Sequence, residues 1–103
     1  MFRVIFEIHR REDITRRQFA ERWIAHGPLL EKLPRLRSYT QCLVTGSARL
    51  PGPEADGISI MDFDSEADYR AADASDAMSA AHDDAVGFVS AVSTYYTESR
   101  KVC

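Results

Sequence analysis

The chain has 103 residues and 45% hydrophobic side chains, the size of one domain with a small core. Thirteen Lys and Arg against 16 Asp and Glu leave a net charge of −3, which argues against nucleic-acid partners. No apolar run approaches the roughly 18 residues of a membrane span. The two cysteines, Cys42 and Cys103, are too few for a disulfide scaffold or a metal knuckle, and Cys42 is expected as a small buried strand residue.

Residues 2–9 alternate Phe2, Val4, Phe6 and Ile8 with Arg3, Ile5, Glu7 and His9, the period of a strand with a buried face. This alternation replaces the continuous apolar stretch of a signal peptide, so the chain is expected to be cytoplasmic. A helix follows the polar residues 10–13. Thr15 and Gln18 have the spacing of a capping box, and Ile14 and Phe19 that of a hydrophobic staple. The helix is expected over residues 16–26. Gly27-Pro28 should kink or end it, with helix possible again up to Leu33 before Pro34.

Residues 36–45 are rich in β-formers and read as a second strand, and 58–63 as a third, pairing antiparallel with it. Between them, residues 46–57 hold Gly46, Pro51, Gly52, Pro53 and Gly57, the expected longest and most mobile loop. Ser65 caps a second helix, Ser75-Asp76 starts a further short one through about Ala85, and residues 87–97 form a fourth strand. In that strand Tyr95 and Tyr96 should face opposite ways, one in the core and one at a dimer edge. Strand-helix-strand, twice over, is the ferredoxin-like arrangement: an α+β fold with a four-stranded antiparallel sheet and helices on one face. The other face is apolar enough to need cover, and a homodimer supplies it most simply. Charge is uneven too. Residues 1–50 hold ten basic and five acidic side chains, residues 51–103 three and eleven, so complementary surfaces could meet across such a dimer.

His26 is the candidate that carries chemistry. Phe19, Trp23, His26 and Leu30 share one helix face, and His26 is the titratable member of that stripe. Imidazole there suits general acid and base work on an enolisable substrate. Tyr39 lies on the next strand, where a phenol can donate a hydrogen bond to a carbonyl gaining charge. Phe19, Trp23, Gln41 and Met61 are the expected substrate-binding residues around this pair. His82-Asp83-Asp84 are consecutive on a helix and do not share a face, so no metal is expected. Gly-rich phosphate loops and nucleophile elbows are missing, so no cofactor is expected.

The run Phe19…Trp23…His26-Gly27-Pro28-Leu29, then Leu33-Pro34-Arg35-Leu36-Arg37-Ser38-Tyr39…Gln41, resembles the EthD family of the dimeric α+β barrel superfamily. Asp56 to Ser65 resembles the same family's third strand and second helix cap. The resemblance covers nearly the whole chain. It implies one EthD-like domain over residues 1–103, a homodimer, Tyr39 close to His26, and a pocket between sheet and helices for a small molecule. Met61 stands where some isomerase-like relatives carry a cysteine, and a thioether has no proton to give. The function so implied is cofactor-independent proton transfer of isomerase, cyclase or lyase type. Its substrate would be a lactone, aromatic or polyketide-like carbonyl compound of catabolism or secondary metabolism. The alternatives are a non-catalytic dimeric metabolite-binding or accessory protein of a degradation pathway, and a cofactor-free oxygenase.

Overall fold

The computed structural model describes residues 1–46 and 54–103. Strand β1 (Phe2–Arg10) leads to helix α1 (Arg16–Leu30), β2 (Ser38–Leu43), β3 (Gly57–Phe63), α2 (Glu66–Asp73), α3 (Asp76–Ala85) and β4 (Val89–Glu98). The four strands form one antiparallel sheet in the order β2-β3-β1-β4. Register assigns the faces. Phe2, Val4, Phe6 and Ile8 stand opposite Phe63, Met61, Ser59 and Gly57, and Tyr39 pairs with Met61, so these side chains share the helix-covered side. The core lies there: Val4, Phe63 and Ala72 are fully buried, with Met61, Met78 and Leu33 around them.

Local signals set the helix starts as the sequence requires. Thr15 Oγ1 accepts from the Gln18 amide at 3.1 Å while the Gln18 side chain accepts from the Thr15 amide at 2.8 Å. Ser65 and Ser75 cap α2 and α3 through the amides of Asp68 and Met78, each at 3.2 Å.

Four boundaries or placements depart from expectation. Helix α1 does not stop at residue 26; it runs through Gly27-Pro28 to Leu30. An interior proline costs about 3 kcal/mol, and burying Leu30 and then Leu33 recovers roughly 1.5–3 kcal/mol each. Strand β2 is shorter than residues 36–45, because Arg35 takes a positive φ of 64° that turns the chain just before it. Strand β4 starts at Val89, not 87, since Phe88 is a fully buried plug ahead of it. Cys42 is exposed rather than buried, because its pairing with Ile58 turns it to the open face of an edge strand. Of the expected loop over 46–57, residues 47–53 lie outside the described residues.

The charge asymmetry is used within the chain. Arg3, Arg10, Arg16, Arg22, Arg35 and Arg37 from the first half meet Asp62, Asp56, Asp56, Asp84, Asp68 and Asp64 from the second. Both tyrosines of the β4 pair are about half exposed. Tyr96 does face the helices, where its ring lies 5.9 Å from Phe2 and 5.4 Å from Tyr69.

Candidate functional site

A cavity of about 230 Å³ lies between the sheet and helices α1 and α3. Its wall is mostly apolar, from Phe6, Trp23, Met61, Met78 and Phe88 among others, and its polar groups are His26, Tyr39, Ser59, His82 and Thr94. Among the described residues neither lysine nor arginine lines it. Such a space fits a compact, largely apolar molecule with a few polar atoms.

The helical stripe of α1 is buried as its spacing requires. Phe19 is fully buried behind the wall, 5.5 Å from Trp23 and 5.9 Å from Phe88 between ring centroids, so it supports the site without reaching the cavity. Trp23 lies flat against the backbone of Gly57, where a Cβ would come within 2.6 Å of its ring. Glycine at that position is therefore what lets the indole sit down on β3.

His26 is 8% exposed and held from two sides. Its Nδ1 lies 2.8 Å from Asp84 Oδ2, and its ring meets Phe88 edge-on at 5.3 Å and 73°. A carboxylate only accepts, so Nδ1 carries a proton toward Asp84, and in the uncharged tautomer that has this bond Nε2 is the basic nitrogen. Asp84 Oδ1 has Arg22 at 3.9 Å, and that guanidinium also covers Phe88 at 5.3 Å from its centroid. Gly87 makes room for it, since a Cβ there would lie 2.6 Å from Arg22 Nη2.

Tyr39 faces the cavity from β2. Burial pushes its phenol above the ordinary value of 10, and hydrogen bonds with the Gln41, Ser59 and Trp23 side chains pull the other way. Gln41 lies outside the cavity wall, in a surface groove beside Gly27, Pro28 and Arg37, with its amide on the Trp23 carbonyl at 2.8 Å. The structure thus brings His26, Tyr39, Trp23 and Met61 to one cavity and sets Phe19 and Gln41 behind it.

Ser59 escapes the sequence reading, and His82 and Asp84 enter it only as candidate metal ligands, not as parts of this site. Ser59 is inward by register alone. Asp84 carried one signal: it stands in the last turn of α3, where the helix dipole disfavours a carboxylate by about 0.3–1 kcal/mol. Placing an acid there against the dipole points to a partner, and His26 is that partner. Among the described residues no group of three His, Cys, Asp or Glu could hold a metal ion.

The EthD domain model matches residues 11–91, which includes both helices that build the His26–Asp84 pair. The chain belongs to the EthD family. Among solved structures it is similar to an ethyl tert-butyl ether D family protein from Bacillus halodurans, at 24% identity and a TM-score of 0.81, covering 97% of this chain and 99% of that one. A dimeric ferredoxin-like protein of unknown function from Bacteroides fragilis aligns at 16% identity and TM-score 0.73, over 94% of each chain. SnoaB, a cofactor-independent oxygenase from Streptomyces nogalater, aligns at 12% identity and TM-score 0.62, over 98% of this chain and 92% of that one. At these identities the likeness establishes the ferredoxin-like fold of this EthD protein. Among curated proteins, none matches its sequence.

Proposed function

We propose that this EthD protein is a cofactor-independent enzyme moving a proton within a small carbonyl compound, as an isomerase, cyclase or lyase. The observation that carries the reading is the His26–Asp84 pair at the wall of a mostly apolar cavity. Nε2 of His26 takes a proton from the carbon beside the carbonyl. Asp84 accepts the Nδ1–H bond and stabilises the imidazolium that forms. Tyr39 donates its O–H to the carbonyl oxygen as charge builds there, and the imidazolium returns the proton to another carbon or to a leaving oxygen. An apolar wall strengthens both interactions by keeping water away.

The absence of Lys and Arg among the described lining residues favours an uncharged lactone, aromatic or polyketide-like substrate over a carboxylate or phosphate. Incubating the purified protein with a panel of such carbonyl compounds, followed by mass spectrometry, tests the reading. A product formed by wild type and lost in His26→Ala supports it; equal turnover by that variant rejects it. A panel that binds without reacting favours the metabolite-binding alternative. The oxygenase reading draws on the likeness in fold to SnoaB. It predicts oxygen uptake with turnover, measurable with an electrode.

We also infer one domain over residues 1–103, acting as a cytoplasmic homodimer. Ile5, Ile58 and Ile60 are half-buried on the face that no helix covers, with Tyr95 exposed beside them. No helix of the described residues is long and apolar enough to cross a membrane. A second sheet packed on the open face would bury this patch, and the Bacteroides fragilis relative of the same fold is dimeric. Sedimentation at micromolar concentration tests it, and a monomer would contradict it.

A further inference from the structure

Gln41 touches both halves of the site without entering the cavity. Its Nε2 lies 2.8 Å from the Trp23 carbonyl and 3.4 Å from the Tyr39 hydroxyl. A carbonyl can only accept, so the amide must present its NH2 side here and not its oxygen. Its two hydrogens are then divided between Trp23 and Tyr39. The Tyr39 oxygen accepts one of them, and a phenol has one hydrogen of its own. That hydrogen is directed away from Gln41, toward Ser59 and the cavity that Tyr39 and Ser59 both line.

The anchor on the other side is set by Pro28. An interior proline has no N–H for the Ile24 carbonyl and loosens the turn before it. Gln41 places a side-chain donor on the neighbouring carbonyl, that of Trp23, three residues before His26. The same amide therefore ties the helix that carries His26 to the strand that carries Tyr39.

We infer that Gln41 is a positioning residue: bridging the Trp23 carbonyl and the Tyr39 hydroxyl, it holds Tyr39 as a hydrogen-bond donor toward the cavity at a set place relative to His26. The inference rests on the reading of Tyr39 as the donor in the proposed reaction. It assigns Gln41 a role behind Tyr39 in place of the substrate contact expected from its position on the strand.

The test needs no substrate. Tyrosine labelled with 13C at Cζ reports the phenol and tyrosinate forms, and Tyr39→Phe identifies the Tyr39 signal. A donor aimed at the oxygen favours tyrosinate, whereas a group that merely props the fold keeps water out and disfavours it. The two roles thus predict opposite signs. At a fixed pH near 11, Gln41→Met should lower the ratio of tyrosinate to phenol at Tyr39 by roughly three- to tenfold, the worth of one ordinary hydrogen bond. Gln41→Glu, whose carboxylate accepts instead of donating, should lower it further. An unchanged or higher ratio in the folded variants, judged by their amide spectra, overturns the inference. That result would leave His26 untouched, because turnover of the His26→Ala protein is read separately.

Discussion

Each side of the sheet has an acid–base pair with one buried member, Asp62 on one and His26 on the other, and the two pairs are built to opposite ends. On the open face, Asp62 receives Arg3 through two bonds, Nε at 2.8 Å and Nη2 at 3.1 Å, and Ser38 Oγ at 2.9 Å. Both carboxylate oxygens are engaged, and the guanidinium cannot give up its proton at any ordinary pH. On the helix-covered face, Asp84 has one oxygen on His26 and the other only loosely on Arg22 at 3.9 Å. The histidine can exchange its proton, and among the described residues Nε2 has no hydrogen-bond partner. The first pair has both carboxylate oxygens engaged and a fixed proton; the second leaves Nε2 without a partner among the described residues beside a cavity, which is what the proposed reaction requires.

Breaking the two pairs should therefore have different consequences. The largest expected effect is His26→Ala, a fall in turnover of roughly a hundred- to ten-thousandfold, the usual worth of a general acid or base. Steady-state kinetics on the substrate found by the panel checks it. Asp84→Asn keeps an acceptor near Nδ1 but removes the charge that stabilises the imidazolium. Its kcat should fall by roughly ten- to a hundredfold, with KM little changed. The equivalent change on the other face, Asp62→Asn, should leave kcat within about twofold and act on stability instead.

Between these lies the wall that frames the cavity. Gly57→Ala drives a Cβ to within 2.6 Å of the Trp23 ring, against backbone that β3 holds in place. Overpacking of this kind costs about 1–3 kcal/mol, read as a lower midpoint of chemical or thermal unfolding, and the displaced indole should weaken ligand binding as well.

The smallest effect is the pH dependence of the open-face pair. Hydrogen bonds from Arg3, with help from Ser38, hold the Asp62 carboxyl below its ordinary value. Its folded value is depressed, so the stability it contributes is fully present above the unfolded value of about 4 and is lost as pH falls toward the folded one. Denaturant midpoints of wild type and Asp62→Asn should thus differ at pH 6 and converge as the pH falls below about 4. A gap that stays constant down to pH 2.5 would show that the charge is not what stabilises.

The two faces were not equally legible in the sequence. Strand alternation in residues 2–9, the Thr15–Gln18 capping box and the serine caps are local signals, and each element they announce is present. The stripe of Phe19, Trp23, His26 and Leu30 is a property of one helix, so the position of His26 on an inward face could be read from spacing. Its partner could not, because Asp84 is 58 positions away and joins through the packing of α3 on α1. Pro28 misled for a related reason: its local cost is real, but the burial of Leu30 and Leu33 that offsets it is tertiary. Cys42 was misplaced because composition cannot tell which side of an edge strand a residue takes, which only the pairing with Ile58 decides. The charge split is compatible, in sequence alone, with a dimer interface or with solvated faces, and topology instead sets arginines of the first half beside aspartates of the second.

The central claim is that His26 transfers a proton to and from carbon in this cavity. Solvent exchange reads that step without requiring a completed reaction. In D2O, the wild-type protein should introduce deuterium beside the carbonyl of a cavity-sized lactone or aryl ketone, seen as a mass increase of the recovered compound, and His26→Ala should not. Exchange by His26→Ala at the wild-type rate, or none by wild type with any carbonyl compound shown to bind, would contradict it.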